Sequence, residues 1–298
     1  MFKKLSRNRA FSLIELSMTL VVIGVIIVGV AQGLDMSKKF KLSSARSLTA
    51  GSPAVSIKGL ALWLDATSEK AFSDPDIANS SEVETWLDTN IQRELDKTNL
   101  TQTTSSKRPL YISDAINGLP SIKFDGINDN LSIANLPGYK ILQPQEVTMF
   151  LVVETDPTVG DSIIIKCGED DRFDASIPWA SNGNIYFDFD ITDGRAFYTP
   201  SASDAIYKPH IFSFIHRSNE TSEMRMDGVS KLTETGLDHV MDTSASFDLF
   251  LGALDNSANN PWKGFIGELL IFNRGLTALE VSQMEAYLGQ KWGIKTPL

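Results

Sequence analysis

Between Phe11 and Leu34 the only ionisable side chain is Glu15, and this apolar run (FSLIELSMTLVVIGVIIVGVAQGL) constrains the N-terminal part of the chain more than any other feature. At about 1.5 Å of rise per residue it makes a helix of roughly 36 Å, long enough to cross the hydrocarbon core of a bilayer. The leader before it carries Lys3, Lys4, Arg7 and Arg9 and no acid. Positive charge flanking a membrane helix is retained on the cytoplasmic side, so the bulk of the chain is expected outside the cytoplasm on a single pass.

A carboxylate in such a helix costs on the order of a few kcal/mol and persists where something pairs with it. Glu15 sits fifth after the Ala10-Phe11 bond. With Phe11, Ser12, Leu13 and Ile14 it resembles the processing signal of type IV prepilins and pseudopilins, with Ala10 where that family usually has Gly. The resemblance implies cleavage by a prepilin peptidase between Ala10 and Phe11, N-methylation of Phe11, and Glu15 facing the amino terminus of a neighbouring pilin-like subunit. It also implies a bacterial inner-membrane location before assembly into a pilus or pseudopilus. The plainer alternative is a secretory signal or signal anchor. That needs no acid in its apolar region, and Ala31-Gln32-Gly33-Leu34-Asp35 is a poor cleavage site.

The formal net charge is -10, and removal of the basic leader makes the mature chain more acidic still. A broad basic face for nucleic acid is therefore not expected. Cys167 is the only cysteine, which rules out an intrachain disulfide and is read as a small buried hydrophobe. Residues 35–48 lack Pro and Gly and extend the helix, whereas Thr49 to Ser56 (TAGSPAVS) reads as a linker. The expected organisation is a leader over 1–10, an assembly helix over 11–48, a linker over 49–58 and one domain over 59–298.

That domain is expected to be mainly β, an antiparallel jelly-roll sandwich with a short C-terminal helix. Short β-rich runs separated by turns predict strands at Leu60–Leu64, Ser121–Phe124, Leu131–Ile133, Val147–Thr155, Ser162–Lys166, Ile185–Phe189, Ile211–His216, Glu223–Met226, Leu249–Gly252 and Phe265–Phe272. Asp227-Gly228 predicts a tight hairpin. Thr277 and Glu280 have capping-box spacing before Val281, Met284, Tyr287, Leu288 and Trp292, one face of a helix. Leu62-Trp63-Leu64-Asp65-Ala66, Pro120 to Gly126 with Asp129-Asn130-Leu131, Met226-Asp227-Gly228, and Phe265 to Phe272 followed by Tyr287-Leu288 and Lys291-Trp292-Gly293 together resemble laminin-G-like domains of the concanavalin A-like lectin/glucanase superfamily. Ser73 to Pro109 is polar and irregular, an excursion between strands.

Catalysis is not expected. Retaining glycosidases of that superfamily need two carboxylates about 5 Å apart, and the nearest run, Glu169-Asp170-Asp171-Arg172-Phe173-Asp174, reads as a solvated loop. His210, His216 and His239 form no metal-ligand pair, and there is no nucleophile elbow or phosphate loop. Jelly rolls of this class often hold calcium and a sugar at loop rims, so candidates for calcium are Asp125, Asn128 and Asp129, then Asp188, Asp190 and Asp193, then Asp255 with Asn256. Asp and Asn also simply form turns. Trp179 and Trp262 are candidates for stacking on a sugar, with core packing as their ordinary role. The expected function is a minor pilin or pseudopilin of a type IV pilus or type II secretion system with a lectin-like head. The alternative is a tethered adhesin or glycan-binding module that never polymerises; the head's partner is a glycan or a protein.

Overall fold

The structure is a computed structural model that describes residues 13–297 except 76, 144, 169–172, 190–194, 238–239, 242 and 245, with backbone alone at Ala31, Leu34 and Asp35. Ala10 and Phe11, the expected processing pair, lie outside the described residues, as do Asp190, Asp193 and His239. The chain divides into two compact units, one ending at Lys41 and one starting at Leu42.

Helix α1 runs over Leu13–Ala50 with Glu15 in its first turn. Within it Leu13–Val30 is long and apolar enough to cross a membrane, and none of that span is buried within the molecule. Its hydroxyls are satisfied locally, since Ser17 Oγ donates to Ile14 O and Thr19 Oγ1 to Glu15 O. Such back-bonding lets a polar side chain sit in an apolar helix without a dangling donor.

Among the described residues the second unit contains seventeen strands and one further α-helix. In chain order the strands are β1 (Leu60–Asp65), β2 (Ser81–Glu82), β3 (Thr85–Trp86), β4 (Leu100–Thr101), β5 (Leu110–Ile112), β6 (Ser121–Asp125), β7 (Leu131–Pro137), β8 (Val147–Thr155) and β9 (Ile165–Cys167). They continue as β10 (Phe173–Trp179), β11 (Asn184–Phe189), β12 (Arg195–Tyr198), β13 (His210–Arg217), β14 (Thr221–Met226), β15 (Val229–Thr235), β16 (Ser246–Leu251) and β17 (Lys263–Phe272); helix α2 covers Ala278–Trp292. The first sheet is ordered β15-β14-β13-β8-β17-β6-β5-β2, with β1 lying along the second half of β17. The second is ordered β12-β11-β10-β9-β16-β7-β4-β3. The pairings are antiparallel, as a sandwich built from hairpins and longer returns requires.

The mainly β architecture with one helix at each end matches the expectation from sequence. Val147–Thr155 is a strand over the expected bounds, and Asp227 and Gly228 turn the β14-β15 hairpin with φ of 51° and 79°. Three departures are informative. Strands β10, β12 and β15 lie outside the expected set, and Asp174, read as part of a solvated loop, is a buried residue of β10. The excursion over Ser73–Pro109 supplies short edge strands to both sheets. Thr49 to Ser56 packs as part of the second unit: Ser52 Oγ accepts from Ala54 N to cap a short turn, and Ala54 is buried.

Between the sheets lies the main core, formed by Leu62, Leu64, Phe124, Leu151, Phe214 and Ile271 from one side and Phe173, Ala175, Ile177, Phe187 and Leu251 from the other. Burying each large side chain stabilises by roughly 1.5–3 kcal/mol. A second core covers the outer face of the first sheet. There Trp63, Phe150, Val152, Leu270 and Phe272 meet Val281, Met284, Leu288 and Trp292 of α2, together with Ala45 from the end of α1. Helix α2 starts at the expected capping box, Thr277 with Glu280, and stops at Gly293 in the left-handed conformation.

The register of β17 against β8 slips between Ile266 and Glu268. Without this bulge at Gly267, Glu268 would share the inward face of Ile266; with it, Glu268 shares the outer face of Leu270 and Phe272 and lies directly opposite Asp65 of β1. Two carboxylates are thereby set side by side beneath α2.

Candidate functional site

Side chains alternate along β10, β11 and β12 up to an irregularity in β10 between Ser176 and Trp179. Phe173, Ala175, Ile177, Ile185, Phe187, Phe189 and Ala196 face the core, which turns Asp174, Ser176, Tyr186, Asp188 and Arg195 to the outer face of the second sheet. The register aligns Lys166 with Asp174, Asp174 with Asp188, and Asp188 with Arg195, a row across four strands in which two neighbouring acids are flanked by a cation on each side.

Above this row is a cleft of about 340 Å³ lined by Trp179, Tyr186, Arg195, Asp174, Ser176 and Asn182, with Ile163, Leu254 and Asn260 completing the wall. Arg195 donates to Asp188 from Nε (2.9 Å) and Nη2 (2.5 Å), and its guanidinium carbon lies 4.9 Å from the Tyr186 ring centroid. The hydrogen bond to Asp188 raises the Arg195 pKa further above its ordinary value. Asp188 is buried by this pairing while the Arg195 side chain stays half exposed, at 52%. The Tyr186 hydroxyl accepts from Asn182 Nδ2 at 2.7 Å and Asn184 Nδ2 at 3.1 Å, which fixes the ring. The cleft therefore combines two aromatic faces with one cation, a carboxylate, amides and a hydroxyl, in a volume within the range of small-ligand sites.

Of the residues singled out from sequence, Trp179 and Asp188 belong to this region. Trp262 does not: it is fully buried, donates from Nε1 to Ile177 O at 2.9 Å and meets Phe124 edge-on. A ring enclosed in the core cannot stack on a sugar, so the expectation for Trp262 is corrected to its packing role. Asp125 Oδ1 accepts from the backbone of Ile127, Asn128 and Asp129, and Asp129 Oδ2 accepts from Asp125 N. Burial, with the Asp125 charge, pushes Asp129 up to about 7. Asp255 accepts from Ser257 N, Asn259 N and Asn259 Nδ2. These carboxylates build turns, and the structure does not bring them together: among the described residues no group of three or more His, Cys, Asp or Glu side chains is arranged to hold a metal. His210 bonds Asp227 at 2.7 Å, His216 bonds Ser222 at 2.8 Å, and the Cys167 thiol is fully buried with its pKa pushed up.

Asp174, Tyr186, Asn182 and Arg195 escaped the reading of the sequence. The signal was present in Phe173-Asp174-Ala175-Ser176-Ile177 and Ile185-Tyr186-Phe187-Asp188-Phe189, whose period of two marks half-buried strands. Adjacent acids obscured it at Asp174.

No family model matches the sequence, and no curated protein matches it. Among solved structures, domain 4 of AbnA, a GH43 extracellular arabinanase from Geobacillus stearothermophilus, in complex with arabinotriose, is 17% identical over 59% of this chain and 81% of that one, with a TM-score of 0.45. The botulinum neurotoxin serotype D binding domain is 14% identical over 78% of this chain and 51% of that one, at 0.48. The CBM40 of the Ruminococcus gnavus IT-sialidase, bound to α2,3 sialyllactose, is 14% identical over 47% and 82%, at 0.38. Likenesses this distant carry no argument about function.

Proposed function

We propose that this chain is a pilin-like subunit, a minor pilin or pseudopilin, whose α1 inserts into a helical fibre and whose sandwich displays a saccharide-binding cleft. The observation that carries the reading is α1 itself: an apolar span unburied within the molecule, with one acid, Glu15, continuing unbroken into the head. In an assembled array that surface would be covered by neighbouring helices, and Glu15 neutralised by a neighbour's amino terminus. Mass spectrometry of the membrane-extracted chain from cells with a prepilin peptidase tests it. A methylated Phe11 start is expected; an uncut Met1 or a cut beyond Ala31 would refute it. Glu15→Ala should abolish assembly and leave anchoring intact.

The cleft favours the second reading, a tethered glycan-binding module, equally well, because it needs no polymer. Trp179 and Tyr186 offer ring faces for a pyranose, and Asp174, Asn182 and Arg195 offer bonds to its hydroxyls. The site is read as binding, not hydrolytic, since bidentate pairing to Arg195 occupies Asp188 as a nucleophile. Trp179→Ala should weaken binding to any glycan found on an array by about tenfold. An array and calorimetric screen with no ligand would remove the glycan half of the reading and leave the fibre half standing.

A further inference from the structure

Beneath α2 the side chain of Lys291 is enclosed between two carboxylates, with all three fully buried: Nζ lies 2.7 Å from Asp65 Oδ2 and 2.7 Å from Glu268 Oε2. Nothing in the fibre or cleft readings uses this cluster. Its surroundings are aromatic. Glu268 Oε1 accepts from Trp63 Nε1 (2.8 Å) and Tyr287 OH (3.0 Å), and Oε2 accepts from Trp292 Nε1 (2.8 Å). Asp65 Oδ1 accepts from Thr67 N (2.9 Å) and Thr67 Oγ1 (2.7 Å), while Oδ2 also accepts from Thr49 Oγ1 at 3.1 Å. Taking one ammonium and two carboxylates out of water costs several kcal/mol per ion, which a salt bridge repays only in part.

We propose that this cluster closes an intramolecular amide between Lys291 Nζ and Asp65 Cγ, with Glu268 as the catalytic residue that carries the proton. The step balances without a co-reactant. Proton transfer from Nζ to Asp65 gives amine and acid; the amine lone pair attacks Cγ while Nζ releases a proton to the Glu268 carboxylate. Collapse of the adduct breaks Cγ–Oδ2, and Glu268 returns that proton to the departing oxygen. The products are one amide, one water and the original Glu268 carboxylate. Burial raises the Glu268 pKa, opposed by the Lys291 charge and the Trp292 bond, and so suits it to accept and return a proton.

The hydrogen bonds decide which carboxyl is acylated. An amide at Glu268 would replace Oε2, the acceptor of Trp292 Nε1, and strand a buried donor. An amide at Asp65 keeps Oδ1 for both Thr67 bonds and loses only Thr49 Oγ1, which already reaches Ala45 O at 3.2 Å. The new amide N–H would donate to Glu268 Oε2. The link would join β1 to α2 across 226 positions of sequence.

The test is peptide mapping and intact mass of the full chain extracted in detergent. A chain lighter by one water, with a crosslinked pair of peptides containing Asp65 and Lys291, is expected. A full-mass chain, or a link at Glu268, overturns the proposal, and this measurement on the unmutated protein needs no variant to fold. Glu268→Gln should restore the full mass with both reacting side chains present; a variant linked as completely as the parent would overturn the role given to Glu268.

Discussion

Gly267→Ala tests the packing that orders α2 on the first sheet. A Cβ at this position would stand 2.4 Å, 2.7 Å and 2.8 Å from Cη2, Cζ3 and Cζ2 of Trp292, against about 3.5–4.0 Å for a favourable carbon contact. The indole cannot simply withdraw, because its Nε1 donates to Glu268 Oε2 at 2.8 Å and the ring is fully buried. Overpacking a core costs about 1–3 kcal/mol, and weakening a bond to a buried carboxylate about 1.5–3 kcal/mol. The expected loss is about 3–5 kcal/mol, a fall in Tm on the order of 10 °C for a domain of this size. Urea melts followed by tryptophan fluorescence would measure it. The three crowded atoms all belong to the six-membered ring of the indole, so in a Trp292→Phe background the added methyl should cost about 1 kcal/mol or less. A loss below about 0.5 kcal/mol, or an equal loss in both backgrounds, would refute the reasoning.

Asp129→Asn should stabilise the protein at pH 8 and change little at pH 4. The folded pKa of about 7 lies above the ordinary 3.8, so the stability of the protonated form is lost as pH rises between those values; the gain has an upper bound of about 4 kcal/mol, and equal melts at pH 4 and pH 8 would contradict it. For His210, burial opposes its charge but the Asp227 hydrogen bond and charge prevail and raise its pKa. Its contribution is therefore full below the ordinary histidine value of 6.5 and is lost as pH rises through the folded pKa; Asp227→Asn should lower that pKa in an imidazole NMR titration, and an unchanged titration would refute the pairing. Asp188→Asn should free the Arg195 guanidinium and weaken glycan binding without unfolding the sandwich, as read by the same array and a thermal melt.

The parts legible in the sequence are those in which a short pattern dictates local structure. Thr277 and Glu280 placed the start of α2, Asp227-Gly228 placed a hairpin, and the apolar run read from Phe11 to Leu34 placed α1, described from Leu13. The cleft was less legible because it depends on register: Asp174, Tyr186 and Arg195 are spread over three strands, and only antiparallel pairing sets them side by side. Trp262 misled for the opposite reason, since a tryptophan beside Pro261 looks the same in sequence whether it faces solvent or Phe124. Nor does any spacing rule join Asp65, Glu268 and Lys291; the bulge at Gly267, which turns Glu268 outward, has no signature beyond the glycine itself.

The end of α1 and the end of α2 lie on the same side of the first sheet, with Thr49 Oγ1 and Tyr287 OH 3.4 Å apart. The cleft belongs to the other sheet, across the full thickness of the sandwich. A reporter carried on the α2 side of the first sheet would thus stand on the face opposite the cleft and leave the cleft unobstructed.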